Sequence, residues 1–149
     1  HILLVEDNPH DAELTMRALR KNNVTNEVVW VKDGAEALDH FFAETPGIPA
    51  GIAHHPLLVL LDLKLPKVGG LDVVRQLKSD MRTRHIPIVV LTSSREESDV
   101  VRSYQLGVNS YIVKPVDFTQ FGEAVANVGM YWVLLNEAPV RPTPPEPEA

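Results

Sequence analysis

Five short apolar runs, each stopping abruptly at a polar residue and handing over to a longer amphipathic stretch, leave this chain few ways to fold. Ile2-Leu3-Leu4-Val5 stops at Glu6-Asp7-Asn8-Pro9, Glu27 to Val31 stops at Lys32, and Leu57-Leu58-Val59-Leu60-Leu61 stops at Asp62. Pro87 introduces Ile88-Val89-Val90-Leu91, which ends at Thr92, and Ser110 to Val113 ends at Lys114-Pro115. Strand-length runs alternating with helical patterns are the mark of repeated βα units and a parallel sheet. The third run is apolar on both faces, as the central strand of such a sheet must be.

The helical stretches carry their own boundaries. Pro9 suits a first turn, and Ala12 to Lys21 places apolar residues, Leu14 and Leu19 among them, at helical spacing. Asp33-Gly34-Ala35-Glu36 is a capping box opening a helix through about Phe42. Gly69-Gly70 makes the turn into a third helix from Leu71 to Asp80. Ser94-Arg95-Glu96-Glu97 reads as a second capping box, for a helix to about Leu106 that Gly107 stops. Asp117-Phe118-Thr119-Gln120 caps the last helix, in which Phe118, Phe121, Val125, Val128, Trp132 and Leu135 recur at helical spacing as a core-facing stripe. The Pro/Gly-rich stretch from Thr45 to Pro56 reads as a spacer loop, with His54 and His55 as ordinary loop residues. Ala138 to Ala149 holds five of the twelve prolines, giving a domain over 1–137 and a disordered tail over 138–149.

Composition excludes more than it identifies. A chain of 149 residues suits one domain with a core of its own. With 14 Lys+Arg against 20 Asp+Glu the net charge is −6, which works against direct binding of nucleic acid. The absence of cysteine removes disulfides, thiolate metal sites and thiol nucleophiles. No apolar run approaches the roughly 20 residues of a spanning helix, and no signal peptide is visible, so the expectation is a soluble cytoplasmic protein without a membrane partner. The chain opens at His1-Ile2 inside a strand, so residues upstream are expected and His1 carries no functional weight.

The polar stops belong together, because in an open α/β sheet the C-terminal ends of the strands form one crevice. Glu6, Asp7 and Asp62 with Lys114 sum to −3 + 1 = −2, a cluster that repels itself unless a divalent cation joins it. Hard oxygen ligands suit Mg2+ or Mn2+. Asp62, at the end of the central strand, is the candidate nucleophile toward a phosphoryl group, with Thr92 as hydroxyl donor and Lys114 as point charge. Each of these residues alone also fits an ordinary role: a helix-start acid, a loop acid, a cap or a solvated cation. Their joint placement at four of five strand ends carries the reading.

The motifs Leu4-Val5-Glu6-Asp7-Asn8, Leu60-Leu61-Asp62-Leu63-Lys64-Leu65-Pro66, Leu91-Thr92-Ser93 and Tyr111-Ile112-Val113-Lys114-Pro115 resemble those of the receiver domain of bacterial two-component response regulators, over Ile2 to about Asn136. The resemblance implies a flavodoxin-like doubly wound (βα)5 fold, with a five-stranded parallel sheet in the order 2-1-3-4-5. Asp62-Leu63-Lys64-Leu65-Pro66-Lys67, the long loop before the third strand and the apolar last helix look most like single-domain regulators that partner phytochrome histidine kinases.

What the resemblance implies then falls on matching positions. Asp62 would take a phosphoryl group from a sensor histidine kinase, with Glu6, Asp7, Asp62 and the backbone carbonyl of Lys64 holding Mg2+. Thr92 and Tyr111 would form a switch pair, Lys114 would bond the phosphoryl oxygen, and the Lys114-Pro115 peptide would be cis. Readout would run through the fourth helix, fifth strand and fifth helix to a downstream protein, since a Pro/Glu tail is no effector domain. Lys64 and Ser94 would flank the path of an attacking water without orienting it, so slow loss of the phosphoryl group is expected. Met130, Tyr131, Val133 and Leu134 leave apolar groups on further faces of the last helix. A homodimer through the fourth and fifth helices is therefore expected, with Tyr131, Trp132, Val133 and Leu134 in the interface. The rival from another class is a Mg2+-dependent phosphatase with an aspartyl-phosphate intermediate. That pattern has a second Asp two residues after the nucleophile, where this chain has Lys64.

Overall fold

A parallel sheet of five strands, β1 (Ile2–Val5), β2 (Val28–Val31), β3 (Leu58–Asp62), β4 (Ile88–Thr92) and β5 (Ser110–Val113), runs in the order β2-β1-β3-β4-β5. The helices α1 (Pro9–Lys21), α2 (Gly34–Phe42), α3 (Gly70–Ser79), α4 (Glu97–Gln105) and α5 (Phe118–Asn127) follow the strands in turn. This computed structural model describes residues 1–43, 55–93 and 96–127, without the side chains of 97–99, 125 and 127. His54, Ser94 and the stretch from 128 onward, including Tyr131, Trp132, Val133, Leu134 and the expected domain boundary at 137, lie outside the described residues.

Strand alternation sorts the apolar residues into two layers. Ile2, Leu4, Leu58, Leu60, Val89 and Leu91 face one side and pack with Ala12, Ala18 and Leu19 of α1 and Phe121 and Ala124 of α5. Leu3, Val5, Val59, Leu61, Ile88 and Val90 face the other and pack with Ala37 and Phe41 of α2 and Val73, Val74 and Leu77 of α3. Every residue of β1, β3 and β4 is buried, which explains why those runs are continuously apolar rather than alternating. Burying each large aliphatic side chain contributes about 1.5–3 kcal/mol, which is what the strands bring to a fold that must also hide charge.

Helix entries follow the capping chemistry with one correction. The Asn8 side chain accepts from the amides of His10 and Asp11 ahead of Pro9. Asp33 Oδ1 accepts from the Glu36 amide at 2.8 Å, while Glu36 reaches back to the amide of Lys32 at 2.8 Å. Asp117 Oδ1 accepts from the Gln120 amide at 2.9 Å. The fourth helix, expected to be capped at Ser94, instead begins at Glu97 with Glu96 at its N-cap and no side-chain cap bond. A glutamate side chain is too long for the short-range bond that Ser or Asp makes there. Gly107, at φ +87°, ends this helix as expected.

The last helix brings a second correction. Phe118 does not join a core-facing stripe: it is 53% exposed, while Phe121 and Ala124 are buried. Phe118 is the first residue of α5, where the helix has yet to close over the sheet.

The strand register places the polar stops at one edge. Val5 pairs with Leu61, Asp62 with Leu91 and Thr92 with Val113, so Glu6, Asp62, Thr92 and Lys114 leave the sheet side by side.

Candidate functional site

Asp62 ends the central strand in a buried position, its backbone fixed by the ladder to β4. Its Oδ1 accepts from the Lys64 amide at 3.0 Å, and its Oδ2 accepts from Lys114 Nζ at 2.8 Å. Lys114 follows β5, and its amide donates to Thr92 O at 2.8 Å, which ties the end of β5 to the end of β4. The Lys114–Pro115 peptide is cis.

Lys114 is the hub of the site. Besides Asp62, its Nζ meets Asp11 Oδ2 at 3.2 Å and Glu6 Oε2 at 2.6 Å, the latter as an ion pair rather than an aligned hydrogen bond. Asp11 was not among the residues expected from the sequence. An acid in the first turn of a helix reads as an ordinary partner of the helix dipole, and only the tertiary contact reveals its second use.

Glu6 is wholly buried and Asp7, one residue on, is exposed. One carboxylate oxygen from each of Glu6, Asp7 and Asp62 lies within 4.8 Å of the others. Burial pushes the Glu6 carboxyl up to about 7; the Lys114 contact opposes this, and the Asp62 charge adds to it. For Lys114, burial favours the neutral amine, but the bonds to Asp62 and Glu6 outweigh it and hold the ammonium above its ordinary value. One ammonium thus faces more negative charge than it can neutralise. Three hard oxygen donors at this spacing, with Glu6 Oε2 buried and lacking an aligned donor, fit a divalent cation of the Mg2+ or Mn2+ type. Asp62, Glu6 and Asp7 would hold it.

The remaining expected residues divide. Thr92 is buried at the end of β4, beside this cluster. Tyr111 is elsewhere: it is 38% exposed, and its ring meets Tyr104 of α4 edge-on, with centroids 5.7 Å apart. Lys64 contributes its amide to Asp62, and its side chain is exposed. Trp30, which reads in the sequence only as a strand residue, donates its indole Nε1 proton to the Glu6 carbonyl at 2.7 Å.

Residues 2–126 match the response regulator receiver domain. The chain belongs to that family. It is 42% identical over 138 residues, 93% of this chain and 86% of the relative, to a probable methanogenesis regulatory protein, FilR2, of Methanothrix harundinacea. Among solved structures it is similar to the bacteriophytochrome response regulator RtBRR, with 52% identity, a TM-score of 0.79, and coverage of 93% of this chain and 83% of that one. The phosphorylated cyanobacterial phytochrome response regulator RcpA is 41% identical, with a TM-score of 0.72 and coverage of 89% and 92%. The Mn2+-bound form of response regulator Rcp1 is 33% identical, with a TM-score of 0.71 and coverage of 92% and 96%. The receiver domain is a signalling module, and the flavodoxin-like order of its strands is the one observed here. Among the described residues no helix is long and apolar enough to cross a membrane.

Proposed function

We propose that this receiver accepts a phosphoryl group on Asp62 from the phosphohistidine of a sensor kinase and signals through a changed protein contact. One observation carries the reading: the buried carboxylate at the end of the central strand is held between the Lys114 ammonium at 2.8 Å and two further acids within 4.8 Å. An Asp62 oxygen attacks phosphorus, the new O–P bond forms as the P–N bond to the kinase histidine breaks, and the imidazole leaves with the electron pair. Mg2+, when bound, offsets the charge of the attacking carboxylate and of the equatorial phosphoryl oxygens. The Mn2+-bound state of Rcp1 supports that choice of ion. Lys114 gives up part of its contact with Asp62 to bond a phosphoryl oxygen, and the Thr92 hydroxyl donates to another. The added charge of roughly −1.5 to −2 biases the end of β4 and, through it, Tyr111.

The α4–β5–α5 face supports a readout by contact. Val101 and Tyr104 of α4 and Tyr111 of β5 are exposed, the two tyrosines in ring contact across the face. A cavity of about 410 Å3 lies between Tyr104, Tyr111, Val113, Gln120 and Ala124. Homodimerisation over this face belongs to the same reading, as does a phytochrome kinase as donor, which the similarity to the bacteriophytochrome response regulator RtBRR and the phytochrome response regulator RcpA supports. A cytoplasmic location follows from such a donor. Mg2+-dependent labelling by acetyl phosphate, retained by the parent and abolished in Asp62→Asn, tests the assignment. Labelling that survives the substitution would reject it, and sustained turnover of a phosphomonoester would favour the phosphatase instead.

A further inference from the structure

Glu6 is held at both of its peptide groups by the neighbouring edge strand. Its amide donates to Val31 O at 3.0 Å, continuing the β1–β2 ladder by one residue past Val5. Its carbonyl accepts from Trp30 Nε1 at 2.7 Å, a bond the ladder does not supply. Trp30 is half-buried, with its ring packed on the apolar layer that includes Leu4 and Leu19. The indole therefore reaches the bend from a fixed base rather than from a mobile side chain.

That bend is where the cation ligands divide. Glu6 is inside the protein, while Asp7 projects into water and has no core packing to aim it. The Glu6 carbonyl and the Asp7 amide share one rigid plane, so fixing the carbonyl oxygen fixes the plane from which the Asp7 Cα emerges. The Asn8 amide, bonded to Glu6 Oε1 at 3.1 Å, closes the bend on its far side.

We infer that Trp30 is a positioning residue for the divalent-cation site, its indole N–H orienting the Glu6–Asp7 peptide so that the two carboxylates converge with Asp62. This rests on the reading of Glu6, Asp7 and Asp62 as the cation ligands. It places in β2, a strand that contributes no ligand, one control on how tightly the ion is held.

Trp30→Phe keeps an aromatic ring at this position and removes the N–H donor. Mn2+ titration of the full chain, following free Mn2+ by electron paramagnetic resonance, should show about fivefold weaker binding in the variant, the effect of one lost neutral hydrogen bond. The Mn2+ concentration for half-maximal labelling by acetyl phosphate should move by the same factor. An unchanged Mn2+ affinity, even with a lowered melting temperature, would make Trp30 merely structural and overturn the inference. A parent chain that binds no Mn2+ would overturn the cation-site reading, and the inference with it. Should Trp30→Phe fail to fold, the Trp132→Phe chain leaves a single indole. Its N–H proton resonance should shift as Mg2+ is added, and a resonance that stays in place under saturating Mg2+ would equally overturn the assignment.

Discussion

At the C-terminal ends of the strands, Lys114 meets Asp62 and Asp11 across separations of 52 and 103 residues, in walls that leave Glu6 wholly buried. Beyond α3, Asp80 and Arg82 pair at 2.8 Å across a separation of two, with Arg82 exposed and Asp80 half-exposed. Chemically the pairs are alike; physically they are opposites. The exposed pair is screened, and its partners cannot drift apart, so its formation asks little of the fold and returns little. The cluster costs desolvation of Lys114, Glu6 and Asp62, only partly offset by their mutual attraction. Charges kept in such a place despite that cost are there for what they do, and β1, β3 and β4 are apolar enough to carry the expense.

Removing the hub should break the comparison most visibly. Lys114→Met leaves Glu6, Asp11 and Asp62 facing one another without a cation, and urea denaturation in EDTA should show a loss of about 3 kcal/mol. Millimolar Mg2+ should return much of that loss. Equal stability of variant and parent in EDTA would mean that the buried pairings are as dispensable as the exposed one.

A smaller effect separates the two regions by pH. Burial pushes the Glu6 carboxyl up to about 7 from an ordinary value of 4.5, so the native state holds its proton more tightly than the unfolded chain does. Its contribution to stability is full below about 4.5 and is lost as pH rises through about 7. Thermal melts of the cation-free parent should therefore fall across that window, and those of Glu6→Gln should stay flatter.

Asp80 carries the opposite sign and the smallest effect. Its hydrogen bonds from Arg82 hold the carboxyl down at about 2, below the ordinary 3.8. The contribution of the pair is complete above the ordinary value and disappears as pH falls through about 2. Melting curves of Asp80→Asn should lie just below those of the parent at neutral pH and low salt and should merge with them at high salt. A separation that persists in salt would show that this pair is less exposed in its energetics than in its geometry.

The sheet was legible because a strand buried on both faces has no freedom of composition: Ile2–Val5, Leu58–Leu61 and Ile88–Leu91 could hardly be written otherwise. The positions of Asp62, Glu6 and Lys114 were legible for a related reason, since a charge that abruptly ends such a run marks the end of the strand. Contacts set by how loops and helices lean were not. Asp11 has the same sequence signature as any first-turn acid, Trp30 reads as one more strand residue until its indole is located, and Phe118 keeps its place in the apolar spacing while standing outside the core. The start of α4 escaped because a Ser and a Glu at the right spacing do not oblige the backbone to turn there.

Gly70 leaves a mark on how the molecule can move. A Cβ at this position would stand 2.3 Å from the Asp62 carbonyl oxygen and 2.6 Å from the Cα of Leu63, and the Gly70 amide is bonded to Leu63 O at 3.1 Å. The first turn of α3 is thus soldered to the backbone of the very residue at the heart of the crevice, with no side chain between them to act as a cushion. Strain arising at Asp62 finds no slack on that side. On the proposed reading of Asp62 as the phosphoryl acceptor, the change it undergoes would have to be taken up on the opposite flank, through the end of β4 toward Tyr104 and Tyr111.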